Sequence, residues 1–143
     1  MADGQVPKNG FPKVVEQMAK LPRILFVGLN DDEIAHVEDS LGDIDCQIET
    51  VAAGSAVFDR LQRFQPHLVV LDTAIANPDA FDLCARIKND HTAIVIFATA
   101  FSDLDDINRA VDAGTDDFLS KTINKHELRK RVENLLKLRD ILD

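Results

Sequence analysis

Short apolar runs alternate with longer amphipathic segments along most of this chain. From Arg23 onward, the runs ILFV (24–27), QIETV (47–51), LVVL (68–71), AIVIFA (93–98) and DFLS (117–120) predict five strands. Between them, apolar residues recur at helical spacing. This predicts helices from Asp31 to Leu41 with Ile34, Val37 and Leu41 inward, and from Ser55 to Phe64 with Val57, Phe58, Leu61 and Phe64 inward. Two more run from Asp79 to Lys88 on Leu83, Cys84 and Ile87, and from Ser102 to Ala113 on Leu104, Ile107 and Val111. A fifth starts at Asn124, where NKHE offers an N-cap asparagine and a glutamate three residues on, and continues to the end of the chain. Strands apolar at every position are buried on both faces, so the five repeats predict an open three-layer (βα)5 α/β sandwich around a parallel sheet. QIETV alternates polar and apolar residues, which suits an edge strand.

The flanks read differently. MADGQVPKNG is rich in Gly, Pro and polar residues, and FPKVVEQMAKLP predicts a short helix with Val14, Val15, Met18 and Leu21 on one side, bracketed by Pro12 and Pro22. The expected organisation is a tail over residues 1–22, one domain over 23–137, and an extension of the last helix over 138–143. Leu128, Leu135 and Leu142 recur every seven residues, with Val132, Leu138 and Ile141 adding apolar positions. That register predicts either a short coiled coil in a homodimer or a linker to an output domain.

Composition narrows the function. A chain of 143 residues suits one core, and 25 acidic against 16 basic residues give a net charge of −9. Such a chain repels phosphate backbones, which argues against direct nucleic-acid or anionic-membrane binding. Cys46 and Cys84 are far apart and form no CxxC pair, which suits two buried thiols in a reducing cytosol. With no apolar run long enough to span a bilayer and no signal peptide at the start, the expected location is the cytoplasm. His36, His67, His91 and His126 share no ligand spacing.

The chemistry lies at strand ends. In open α/β sheets the functional crevice lies outside the carboxyl ends of the strands. Asp72, Thr99 and Lys121 follow the third, fourth and fifth strands, so a parallel sheet brings them to one mouth. An aspartate nucleophile, a lysine for phosphoryl oxygens and a hydroxyl donor form a set suited to phosphoryl transfer onto a carboxylate, and the small Ala100 leaves room for the group. A haloacid-dehalogenase-type phosphatase would want an acid at Ala74. GxxxxGK[ST] is absent, and GLNDDE is too acidic for a flavin phosphate loop.

LVVLDTAIANPDAFDLCARIK resembles the phosphoacceptor segment of response-regulator receiver domains, IFATAFSD their fourth-strand hydroxyl segment, and AGTDDFLSK their fifth-strand segment. The resemblance runs from about Arg23 to Leu136. It implies a flavodoxin-like fold of strand order 2-1-3-4-5. It also implies Asp72 as acceptor of a phosphoryl group from a histidine kinase or phosphotransfer protein, and a switch made by Thr99 and Phe118 that reshapes a partner-binding face. The domain would be a signalling switch and not an enzyme.

Four positions depart from the family. Its acidic pair after the first strand is replaced by Gly28 and Leu29, Thr122 stands where proline usually follows the lysine, and Ala76 replaces a usual proline in the loop after Asp72. The expected magnesium site is therefore weak, built on Asp72 and the backbone carbonyl of Ala74. Asp31 and Asp32 come three residues late, either as solvated first-turn carboxylates or as ligands swung back by a reshaped loop. The missing acids leave a rival reading open, a pseudo-receiver that binds partners without phosphorylation.

Overall fold

The computed structural model describes residues 21–76, 78–100 and 104–142, with the side chains of Leu104 and of 139–142 excepted. Five strands, β1 (Arg23–Val27), β2 (Gln47–Val51), β3 (Leu68–Asp72), β4 (Ile94–Thr99) and β5 (Asp117–Ser120), form one parallel sheet in the order β2-β1-β3-β4-β5. Helices α1 (Asp31–Ser40), α2 (Ala56–Phe64), α3 (Ala80–Asp90), α4 (Leu104–Asp112) and α5 (Lys125–Leu142) make the connections. This is the expected flavodoxin-like (βα)5 sandwich. The N-terminal helix expected around Val14, Val15 and Met18 lies outside the described residues, as does Ser102 at the predicted start of α4.

Side-chain alternation along the strands splits the core in two. On one face Ile24, Phe26, Leu68, Val70, Ile96, Ala98 and Leu119 pack against Val37 and Leu41, at the end of α1, and Leu128, Val132 and Leu135 of α5. On the other Leu25, Val27, Val69, Leu71, Val95 and Phe97 meet Val57 and Leu61 of α2, Leu83, Cys84 and Ile87 of α3, and Ala110 of α4. β3 is central and buried at all five positions, whereas β2 is half-buried throughout, as an edge requires.

Two apolar expectations shift. The inward face of α4 is Ile107, Ala110 and Ala113, and Val111 is 57% exposed. The helix is rotated by one residue, so that Ala110 is fully buried in place of the expected Val111. The heptad leucines Leu128 and Leu135 are buried in the domain's own core, so two of the three positions proposed for a coiled coil are already covered. Asn124 does cap α5, accepting from the Glu127 amide at 2.9 Å, but the Glu127 carboxylate accepts from Ser120 N at 3.3 Å and ties α5 to the end of β5.

Strand register brings the chemistry to one place. Leu71 pairs with Phe97, Asp72 with Ala98, and Thr99 with Ser120, so the last residues of three adjacent strands reach the same edge.

Candidate functional site

Asp72 ends β3 and is 4% exposed. A carboxylate so placed needs partners. Oδ1 accepts from the Ala74 amide at 2.8 Å within the turn after the strand, and Oδ2 accepts from Lys121 Nζ. Lys121 follows β5 directly. Its amide donates to the Thr99 carbonyl at 2.9 Å, and the Lys121–Thr122 peptide is cis although Thr122 is not proline. Burial works against the Lys121 charge, but the hydrogen bonds that its ammonium donates to Asp72 and Glu33 outweigh it and hold the ammonium above its ordinary value. The pocket thus keeps a permanent cation at neutral pH.

Thr99 ends β4, largely buried, and lines a cavity of about 200 Å³ with Ile107, Phe118, Leu119 and Ser120. The Phe118 ring stands edge-to-face on Phe97 at 6.4 Å, and Phe97 stands edge-to-face on Phe81 at 5.6 Å. Thr99 and Phe118 therefore share one cavity beside the site. Ala100 is exposed at the mouth.

The loop after β1 explains the departure seen in the sequence. Gly28 has φ +87° and donates its amide to Val51 O at 3.0 Å, and a Cβ there would lie 2.2 Å from Ile75 Cγ2 and 3.2 Å from Asp72 Cβ. Leu29 turns inward and is 7% exposed in the α1/α5 core. Asn30 then caps α1, with its side chain accepting from Glu33 N at 2.8 Å while Glu33 Oε1 accepts from Asn30 N at 3.0 Å. That start sets the helical phase. Asp31 and Asp32 are exposed on the first turn and make no hydrogen bond or ion pair to Asp72. Glu33 is the acid that reaches the pocket, with Oε2 3.1 Å from Lys121 Nζ. The sequence carried a signal for it, since Asn30 and Glu33 have the same capping-box spacing as Asn124 and Glu127.

Gly28 yields a stability prediction. Gly28→Ala is expected to cost about 1–2 kcal/mol from the left-handed backbone alone, with the Ile75 clash added. Ile75→Ala in the same chain should recover only the clash component. Urea unfolding of the three variants checks this. Equal stability of Gly28→Ala and the parent would mean the loop adopts another backbone.

Receiver domains generally bind Mg2+ in an acidic pocket at this edge, and the residues here fit that ion poorly. No group of three His, Cys, Asp or Glu side chains able to hold a metal occurs among the described residues. The position of the first family acid is closed by Ile75 and that of the second holds buried Leu29. Both carboxylates that do converge, Asp72 and Glu33, converge on an ammonium.

Residues 24–133 match the response regulator receiver domain family. The chain belongs to that family. Over 111 residues it is 31% identical to the heme response regulator HssR of Staphylococcus epidermidis, a match covering 76% of this chain and 50% of the relative. The chain thus spans about half the length of that protein. The signal receiver domain of a signal transduction histidine kinase from Syntrophus aciditrophicus superposes with a TM-score of 0.73 at 28% identity, over 81% of this chain and 90% of that one. A receiver domain of an HD domain-containing protein from Pseudomonas fluorescens superposes at 0.78 with 21% identity, covering 85% and 98%, which shows the fold alone. Receiver domains are signalling domains and not catalytic enzymes. No helix among the described residues of this receiver is long and apolar enough to cross a membrane.

Proposed function

We propose that this receiver accepts a phosphoryl group on Asp72 from the phosphohistidine of a histidine kinase or phosphotransfer protein. The observation that supports it is the Lys121 ammonium against Asp72 Oδ2 at the mouth formed by β3, β4 and β5. An Asp72 carboxylate oxygen attacks phosphorus through an unused lone pair, the bond to the donor nitrogen breaks, and the imidazole leaves with the electron pair. Lys121 balances the charge added to the pocket, and the Thr99 hydroxyl donates to a phosphoryl oxygen. Drawing Thr99 toward the new group alters the cavity it shares with Phe118, so the face of α4, β5 and α5 is reshaped for a downstream partner. The working partners are the kinase or phosphotransfer protein and an output domain or protein, and the setting is the cytoplasm.

A second reading is supported by the loop after β1. With Gly28 and Leu29 replacing acids, the domain would act as a pseudo-receiver, binding partners without phosphorylation. Intact-mass spectrometry after incubation with acetyl phosphate, in Mg2+ and in chelator, separates the two. Under the first reading the parent gains a phosphoryl adduct and Asp72→Asn gains none. An unmodified parent in both conditions selects the second.

A further inference from the structure

Glu33 occupies an unusual position for a helix-capping residue. One oxygen closes the capping box on Asn30 N at 3.0 Å, and the other reaches Lys121 Nζ at 3.1 Å, from a side chain only 23% exposed. The lysine has three donors, and two of its acceptors are carboxylates from different elements, Asp72 at the end of β3 and Glu33 at the start of α1. In effect an internal ammonium sits where two acids converge.

We propose that Glu33 is a positioning residue for Lys121, a second carboxylate that shares the ammonium at rest and gives it up when Asp72 carries a phosphoryl group, so that the first turn of α1 responds to the state of the site. The handover rests on the phosphoacceptor reading of Asp72. The sharing does not. A phosphoryl group brings close to two negative charges and three acceptor oxygens, so the ammonium follows it. Transfer forms the Asp72 oxygen–phosphorus bond and breaks the donor–phosphorus bond, with the electron pair leaving on the donor. The handover itself exchanges hydrogen bonds and moves no proton. Glu33, left facing a like-charged group, then strains the bond that its other oxygen makes to Asn30 N. A signal from β3 and β5 thereby reaches α1 without passing through Thr99 or Phe118.

Glu33→Gln separates the two tasks of this side chain, because glutamine at this helix position still completes a capping box but carries no charge. In the parent, the Lys121 ammonium signal in a 1H–15N spectrum should be protected from solvent exchange. In Glu33→Gln it should broaden or vanish while the α1 amides keep their dispersion. With acetyl phosphate the glutamine variant should be modified about tenfold faster, the scale of one charge-assisted hydrogen bond no longer competing for the lysine. The Asn30 amide should shift on phosphorylation in the parent and stay still in the variant. An ammonium signal indifferent to Glu33→Gln overturns the proposal, as do equal phosphorylation rates with an unmoved Asn30 amide. If the ammonium signal responds but neither protein forms an adduct, the shared lysine stands and the phosphoacceptor reading of Asp72 fails.

Discussion

Phe97→Ala is expected to destabilise the domain by about 3–5 kcal/mol, the usual range for truncating a buried phenylalanine. Phe97 is fully buried on β4, between the rings of Phe81 and Phe118, and both contacts are edge-to-face. Truncation removes its burial and both aromatic contacts together, and β4 is held on each side by β3 and β5, so the strand cannot close the gap by shifting. At about 4 °C per kcal/mol for a domain of this size, the melting temperature should fall by roughly 12–20 °C. Phe97→Leu should recover more than half. A thermal scan of both variants checks this, and a loss under about 1 kcal/mol for the alanine would mean the α3/α4 side repacks freely. Phe97 also backs Phe118, so the same truncation should loosen the ring that borders the Thr99 cavity.

Lys121→Met is expected to cost up to about 3 kcal/mol, the low end for breaking a buried ion pair, because Lys121 is itself partly exposed. The variant keeps Asp72 buried with only the Ala74 amide as partner and leaves Glu33 close by with no cation between them. Asp72→Asn combined with Lys121→Met should recover most of the loss, since the more deeply buried carboxylate is then no longer stranded and Glu33 keeps the Asn30 amide. The pH dependence follows from the raised lysine. A group whose folded value lies above its unfolded one contributes stability that is whole below the unfolded value, 10.5 for lysine, and is lost as pH rises through the higher folded value. Parent and variant should therefore differ fully at neutral pH and converge in strong alkali. Urea midpoints from neutrality upward measure it. A gap unchanged across that range would show that the lysine acts through packing of its stem and not through its charge.

Much of the fold was legible in the residues, for reasons that particular elements make plain. LVVLD was readable because a central parallel strand must be apolar on both faces, and the aspartate ending it breaks that rule only where the sheet meets solvent. Helix α4 was readable as a helix but not in its rotation. LDDINRAVDAG offers two inward faces one residue apart, and packing against the rest of the fold selected the one that buries Ala110 and leaves Val111 exposed. The seven-residue leucine spacing at the end of the chain was real, yet a helix on its own domain and a helix on a second copy use the same spacing.

By itself the sequence determined the five repeats, the parallel sheet and the convergence of Asp72, Thr99 and Lys121, because alternation and strand ends are local properties that one chain direction carries to one edge. Tertiary structure alone decided which acid joins them. Capping-box spacing marks Glu33 as the partner of Asn30, but Asp31, Asp32 and Glu33 are equivalent in the sequence as partners for a lysine far along the chain. Only the backbone turn at Gly28, the inward Leu29 and the helix phase set by Asn30 point the third of them, rather than the first two, at the lysine beyond β5.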